Sequence, residues 1–297
     1  MIIHYHIHEV SEYINWIYFF HAWGFQPRYA SIADIHGCDA CRAMWLARFP
    51  ENERAKAAEA MQLFKEAQRM LAHLDKAYQT HGIFRVMEAN SIGNDIRIEG
   101  TRLPLLRQQT AKQGEPYLCL SDFIRPASNG IPDKIGVFAT SVDKEMESMY
   151  EEDGYKHMLV QTLADRLAEA TSEKMHEYIR KEAWRFAPDE QLTIKQLHNE
   201  EFQGIRPAVG YPSLPDQSIN FILDDLLDMK QIGITLTENG MMQPHASVSG
   251  LIFAHPASRY FSVGKIDKDQ LEDYARRRNL PIKTMRKYLS ANLLSED

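Results

Sequence analysis

The chain of 297 residues carries 34 basic and 41 acidic residues, which gives a formal net charge of -7 at pH 7. This balance argues against nucleic-acid binding, which usually needs a basic surface. With 44% hydrophobic residues and no long apolar run, the chain is expected to be cytoplasmic, without a membrane span or a secretory signal.

The first part of the sequence predicts a short strand followed by helices. His4, His6 and His8 alternate with apolar or aromatic residues, which is the period of a strand. We interpret these histidines as a solvated strand face, and a metal site is the less favoured alternative. From Pro50 onward, apolar residues recur at three- and four-residue steps, so the pattern predicts a helix that ends at Gly82.

The rest of the sequence predicts groups of strands and groups of helices. Helices are predicted over 144–186 and 219–231, and Asp267 is predicted to cap a further helix. The predicted strands are 83–87, 96–98, 117–124, 134–142, 234–238, 246–253 and 260–266. Grouped rather than strictly alternating elements indicate the α+β class. Because no linker composition interrupts the chain, we expect one domain over 1–297.

Three cysteines are too few for a disulfide framework, and reduced thiols are the expected state. Cys38 and Cys41 form a C-x-x-C motif with His36 nearby. Structural thiols are the favoured interpretation of this motif, and a redox or metal role is the alternative. We therefore assign no metal site from the sequence.

The loop 206–212 is the most informative stretch of the sequence. Two prolines stiffen it, and Gly210 permits positive φ or the close approach of a ligand. Arg206 offers a planar fork for a carboxylate or phosphate, and Tyr211 adds an aromatic wall with a polar tip. These residues suit a small zwitterionic or anionic ligand, although a rigid connector is equally compatible with them.

Two other places carry candidate binding residues. The strand 246–250 is built from small residues, and Tyr260 and Phe261 should point to opposite faces of the next strand, where one ring could stack on a planar ligand. Ordinary sheet packing is the alternative. Asp165 and Glu169 are four residues apart and share a helix face, for which a surface role is the default interpretation.

These segments together resemble the activation (reactivation) domain of cobalamin-dependent methionine synthase. The segments that carry the resemblance are 13–16, 120–123, 163–170, 206–212, 237–238, 246–250, 260–264 and 273–277. They follow one another in order and span essentially the whole chain. The resemblance implies a single C-shaped α+β domain with a twisted antiparallel sheet flanked by helices.

The resemblance also implies a function. Members of the family bind S-adenosylmethionine and support the reductive methylation of cob(II)alamin, with an electron from flavodoxin or an equivalent donor. The chain is then part of a homocysteine S-methyltransferase system for methionine biosynthesis and is not active alone. No catalytic side chain is expected, because cobalt itself is the nucleophile.

The resemblance assigns roles to the residues of the loop 206–212. Arg206 would hold the carboxylate of S-adenosylmethionine. Ala208 and Gly210 would offer backbone contacts to the ligand. Tyr211 would lie between S-adenosylmethionine and the corrin.

Four further residues receive roles in the same way. Tyr260 and Phe261 match positions that contact the adenosyl portion, and Phe261 replaces a common Tyr. Glu169 matches an acidic residue near the ligand, and Asp165 matches one that faces the cobalamin module. Asn15 stands where the family usually has an Asp that contacts the ligand's ammonium group, so we expect about tenfold weaker binding from the lost charge.

The family domain normally ends a longer chain that also holds homocysteine, folate and cobalamin modules. Here the resemblance begins near residue 1, which suggests either a stand-alone subunit that acts on a separate cobalamin-bearing methionine synthase or a fragment excised from a longer chain. Two alternatives stay open. One is a degenerate, non-catalytic interaction module that docks a corrinoid protein. The other is a reactivator of a different corrinoid methyltransferase.

Overall fold

The N-terminal half of the chain supplies five of the six strands of the main sheet. A computed structural model describes residues 1–294. The elements of this half are β1 (Ile2–His6), α1 (Ile7–Ser11), α2 (Trp16–Ala22), α3 (Asp39–Ala47), α4 (Arg54–Leu74), β2 (Gln79–Ile92), β3 (Asp95–Ile98), β4 (Thr101–Pro104) and β5 (Asp133–Val142). The buried residues of α4 recur at three- and four-residue steps, as the sequence predicts.

The C-terminal half supplies the longest helix and the last strand of the main sheet. Its elements are α5 (Gly154–Tyr178), α6 (Ile194–His198), α7 (Ile219–Leu227), β6 (Thr235–Leu236), β7 (Met242–Gln243), β8 (Ser247–Ile252), α8 (Lys268–Arg277) and α9 (Ile282–Tyr288). Asp153 begins α5 by accepting a hydrogen bond from the backbone N–H of Lys156. Asp267 caps α8 in the same way, which confirms the sequence prediction.

The main sheet is antiparallel throughout and has the strand order β4-β3-β2-β5-β8. The 14-residue strand β2 is central: β5 pairs along one of its edges, whereas β1 and β3 share the other edge. A separate two-stranded ribbon joins β6 and β7. The predicted α+β class, an antiparallel sheet flanked by helices, is confirmed.

Both faces of the main sheet are covered by apolar side chains. On β5, Phe138 faces the cluster that contains Leu163 of α5, whereas Val137 faces the cluster that contains Leu223 of α7. All four of these side chains are buried. Because α5 packs on one face of the sheet and α7 packs on the other, the sheet fixes the positions of both helices.

The sequence pattern predicted that Gly82 ends a helix, and this prediction is wrong. Helix α4 ends at Leu74, and Gly82 lies inside β2. A Cβ atom at Gly82 would lie 2.7 Å from the sulfur of Met175 on α5. The glycine therefore serves the close packing of α5 on the sheet.

Two predicted strands are absent from the described residues. The first, 117–124, instead contains a 3-10 turn at Leu120–Phe123, with the Asp122 carboxylate accepting from the backbone N–H of Cys119. The second, 260–266, bonds to a loop rather than to a neighbouring strand, and Gly264 within it adopts φ +73°. The backbone N–H of Val263 donates to the carbonyl of Pro212 at 2.9 Å. Apolar alternation predicts a strand, but it does not indicate which segment of the chain the strand would pair with.

Within residues 1–294, we find no helix that is both long enough and apolar enough to cross a membrane.

Candidate functional site

A cleft of about 550 Å³ opens between α5, the start of α2 and the loop that follows α6. Its walls come from five separate stretches of the chain. The lining residues are Tyr13, Asn15, Tyr18, Arg166, Glu169, Ala170, Glu173, Leu197, His198, Glu200, Phe202, Arg206, Pro207, Ala208, Tyr211, Pro212, Ser213, Tyr260 and Phe261. The size of the cleft is in the usual range for a small-molecule site.

The loop 206–212 is bonded directly to β8. The backbone N–H of Val209 donates to the carbonyl of Ser249 at 2.9 Å, and that of Leu251 donates to the carbonyl of Pro207 at 3.0 Å. A Cβ atom at Gly250 would lie only 2.3 Å from the Pro207 oxygen. The small residues of β8 therefore allow the close approach that the sequence suggested, and the loop is held rigidly.

The segment that carries the aromatic residues is bonded to the same loop. The hydroxyl of Ser213 accepts from the backbone N–H of Phe261 at 3.1 Å and donates to the carbonyl of the same residue. The backbone N–H of Arg206 donates to the Tyr260 hydroxyl at 2.9 Å. Arg206, Tyr260 and Phe261 thus form one continuous wall of the cleft.

Helix α5 presents a row of carboxylates to that wall. Asp165, Glu169 and Glu173 follow at four-residue spacing, which places them on one helix face. Glu173 accepts a hydrogen bond from the Arg206 guanidinium at 2.8 Å, and Glu169 accepts one from the Tyr211 hydroxyl at 2.8 Å. The acidic side of the cleft is therefore joined to the loop at two points.

The ion pair between Arg206 and Glu173 is nearly buried but incompletely satisfied. The two side chains are only 11% and 12% exposed. Burial opposes the charge of Arg206, but Glu173, Tyr260 and Glu169 together outweigh burial, so the pKa of the guanidinium is raised and it stays charged. Nε of Arg206 and Oε1 of Glu173 are buried and have no hydrogen-bond partner within residues 1–294. One buried donor and one buried acceptor beside the cleft therefore lack the partners that such groups usually have.

Tyr211 and Tyr260, two of the tyrosines that line the cleft, stay neutral at ordinary pH. Burial raises the pKa of Tyr260 to about 12. Burial, with the nearby charge of Glu169, also raises the pKa of Tyr211. Tyr211 is 52% exposed, so its ring stands at the mouth of the cleft. The tyrosines can therefore donate hydrogen bonds and stack, but they do not act as bases.

The structure brings most of the sequence-predicted site residues together. Those that line the cleft are Asn15, Glu169, Arg206, Ala208, Tyr211, Tyr260 and Phe261. Asp165 lies outside the lining, one turn away on α5, where its carboxylate is 3.6 Å from Nδ1 of His245. Burial raises the pKa of Asp165, and the neighbouring His245 partly opposes this.

Gly210 also lies outside the lining. It adopts φ +87°, and its N–H donates to the carbonyl of Leu214 at 2.8 Å. The sequence analysis allowed for a positive φ at this position, and the structure confirms it. The N–H of Gly210 is used inside the turn, which folds back onto residue 214.

Asn15 has a structural task in addition to its place in the cleft. It is the N-cap of α2, and its Oδ1 accepts from the backbone N–H of Ile17 at 3.2 Å. An amide oxygen has two lone pairs, so Oδ1 can still accept a second hydrogen bond from a ligand. The position therefore keeps an acceptor but carries no charge.

Several lining residues had no signal in the sequence analysis. Glu173 is the most important of them, and the four-residue spacing from Glu169 could have identified it. Phe202 and Glu200 come from the connection after α6, and no local pattern marks them as cleft residues. The positions of Glu200 and Phe202 depend on the path of the chain after α6, which no local sequence pattern predicts.

Comparison with known proteins places this fold and cleft in a family. The family model "Vitamin B12 dependent methionine synthase, activation domain" matches residues 6–279. A crystal structure of the MetH reactivation domain bound to AdoHcy is similar at 36% identity and a TM-score of 0.88, over 100% of this chain and 90% of that one. The chain therefore belongs to the family of activation domains of vitamin B12-dependent methionine synthase.

Proposed function

We propose that this chain binds S-adenosylmethionine in the cleft and supports the reductive methylation of cob(II)alamin on the cobalamin-binding module of methionine synthase. Flavodoxin or an equivalent protein would donate the electron. The ligand would supply its sulfonium methyl group, which the reduced cobalt of the partner would accept while AdoHcy is left behind. The observation that carries the proposal is the incompletely satisfied pair of Arg206 and Glu173.

The amino-acid end of the ligand suits that pair. Nε of Arg206 can donate to the ligand's carboxylate, and Oε1 of Glu173 can accept from its ammonium group. Buried polar atoms without partners each destabilise a protein by about 1–3 kcal/mol. A zwitterion that satisfies both atoms would recover that free energy on binding. The AdoHcy bound by the similar MetH domain carries the same amino-acid group.

The charge of the cleft also suits a cationic ligand. Three carboxylates line it, those of Glu169, Glu173 and Glu200, against two guanidinium groups, those of Arg166 and Arg206. The lining therefore carries one excess negative charge when all five groups are ionised. S-adenosylmethionine carries one net positive charge through its sulfonium, whereas AdoHcy carries none. We expect the cleft to favour the methylated form.

The rest of the ligand would contact the aromatic residues. Tyr260 and Phe261 would face the adenosyl portion, and Ala208 leaves room at the loop. Tyr211, at the mouth of the cleft, would lie between the ligand and the corrin. Transfer of a methyl group from sulfonium to cobalt needs no acid or base, so the tasks of these residues are to orient the ligand and to exclude water.

Asp165 is proposed to face the cobalamin module rather than the ligand. It lies on the same face of α5 as Glu169 but beyond the cleft lining, and its carboxylate is 38% exposed. A partly exposed, partly desolvated charge at the edge of a binding cleft is suited to an electrostatic contact with a partner.

Isothermal titration with S-adenosylmethionine and AdoHcy tests the proposed ligand. Arg206→Ala should abolish measurable binding of both, and Arg48→Ala, on the exposed end of α3, is the control that should leave it unchanged. S-adenosylmethionine should bind more tightly than AdoHcy, and added salt should reduce the difference. Absence of binding by the wild type would refute this function and favour a module that only docks a corrinoid protein.

A further inference from the structure

His36, Cys38 and Cys41 come together outside the cleft, on the loop before α3 and on the first turn of that helix. A ring nitrogen and two sulfurs lie within 4.8 Å of one another. The histidine is exposed and the two cysteines are partly exposed, so all three can be reached from solvent. None of them lines the cleft, and the proposed function does not use them.

The backbone holds this cluster in a compact turn. The N–H of Cys38 donates to the carbonyl of His36 at 2.9 Å, and the N–H of Cys41 donates to Sγ of Cys38 at 3.3 Å. Cys38 is the N-cap of α3, so its sulfur lies at the positive end of a nine-residue helix. The turn therefore holds both sulfurs and the imidazole close to one another.

The three donors fit one class of metal ion. Two sulfurs and an imidazole nitrogen form a donor set that Zn²⁺ prefers, whereas Mg²⁺ and Ca²⁺ prefer oxygen. With Zn–S near 2.3 Å and Zn–N near 2.0 Å, a tetrahedral ion holds such donors roughly 3.5–3.8 Å apart. Distances of up to 4.8 Å in the cluster would therefore have to shorten by about 1.3 Å at most, which side-chain rotation can supply on an accessible loop.

We propose that His36, Cys38 and Cys41 bind Zn²⁺ as a three-ligand site with an open fourth position. Three protein ligands leave room for water or for a donor from another molecule, as in zinc sites that are not purely structural. The competing state of the same residues is a disulfide between Cys38 and Cys41, which would remove both sulfur donors.

The test uses the whole chain with Co²⁺ as a spectroscopic probe, under a phosphine reductant and without oxygen. We expect one equivalent of Co²⁺ to give a sulfur-to-cobalt charge-transfer band, and Zn²⁺ to displace it. Cys38→Ser, Cys41→Ser and His36→Ala should each weaken Zn²⁺ binding by more than about 100-fold, beyond the usual effect of an outer-shell residue. Asp39→Asn changes a charge between the two cysteines and should leave the affinity unchanged.

Three results would overturn the proposal. The first is the absence of the charge-transfer band in the wild type. The second is wild-type affinity in His36→Ala. The third is a Cys38–Cys41 disulfide that persists under the reductant, detected as a mass two hydrogens lower. Urea unfolding of each variant checks that lost binding is not lost folding, because the cluster lies on a loop and one helix end rather than in the core.

Discussion

The guanidinium of Arg206 donates a 2.8 Å hydrogen bond to the carboxylate of Glu173 across the base of the cleft. The first residue comes from the loop that lies on β8, and the second comes from α5. The pair therefore fixes the distance between the two main walls of the site. It also presents one free donor and one free acceptor, which is why we place the amino-acid end of the ligand there.

Glu173→Gln should destabilise the ligand-free chain. The substitution leaves the buried Arg206 charge without its counter-charge, and breaking such a pair typically lowers the free energy of unfolding by about 3–5 kcal/mol. We expect about 3 kcal/mol in urea unfolding, because both side chains keep some contact with solvent. Glu169→Gln is the matched control on the same helix face. It loses only a bond to the half-exposed Tyr211, and we expect about 1 kcal/mol or less.

Asn15→Asp should bind S-adenosylmethionine about tenfold more tightly than the wild type. A hydrogen bond to a charged acceptor contributes about 1.5–3 kcal/mol, against about 0.5–1.5 kcal/mol for a neutral one. Aspartate also keeps the N-cap of α2, so folding should be preserved. Asn15→Ser keeps the cap with a shorter side chain and should not gain affinity. Equal titration affinities for the wild type and Asn15→Asp would refute the assigned contact.

Gly250→Ala should disturb the cleft, although Gly250 itself is not one of the lining residues. The new Cβ would lie 2.3 Å from the Pro207 oxygen, so the loop 206–212 would have to move away from β8. Overpacking of this kind typically lowers stability by about 1–3 kcal/mol. We also expect weaker binding of AdoHcy in the same titration. Gly154→Ala, where a Cβ meets open space, is the control. Unchanged stability and affinity in Gly250→Ala would contradict the role given to the small-residue strand.

The pH dependence of stability should reveal the buried position of Asp165. Burial raises the pKa of this carboxyl above its ordinary value of 3.8, so the folded state holds the proton more tightly than the unfolded state. Its contribution to stability is therefore present at low pH and is lost as the pH rises above about 4 and through the folded-state pKa. Asp165→Asn should remove this loss and gain stability at neutral pH.

The pH dependence of stability that Asp153 contributes should have the opposite sign to that of Asp165. Hydrogen bonds from Lys156 lower the pKa of Asp153, so its contribution is present above its ordinary pKa and is lost as the pH falls. The measurement is urea unfolding of Asp165→Asn and Asp153→Asn from about pH 2 to about pH 7, because the Asp153 contribution is lost below the ordinary carboxyl value of 3.8 and the Asp165 contribution is lost above it. A stability curve for Asp165→Asn that parallels the wild type would contradict the inferred desolvation.

The sequence predicted the parts of the site that depend on local chemistry. The loop around Arg206 and the small-residue strand before Gly250 were both identified from residue types alone. Their mutual contact was not predicted, because the small residues of the strand do not indicate which segment packs against them. The α+β class was likewise predictable from grouped strands and helices.

The parts that the sequence missed depend on how distant segments meet. Gly210 has the expected positive φ, but only the structure shows that its N–H bonds to Leu214 inside the turn. The segment 260–266 has the alternation of a strand, yet its Val263 N–H bonds to the carbonyl of Pro212 in a loop rather than to a strand. Glu173 lies on the same face of α5 as Glu169, but its role in the site depends on its contact with Arg206. That residue lies 33 residues further along the chain.

Methyl transfer in a reconstituted system tests the central claim most directly. The chain would be mixed with cobalamin-loaded methionine synthase that lacks an activation domain, reduced flavodoxin and methyl-labelled S-adenosylmethionine. We predict that the label moves to cobalamin with the wild-type chain and not with Arg206→Ala, while Arg48→Ala behaves as the wild type. No transfer of label with a wild-type chain that binds S-adenosylmethionine would contradict the account.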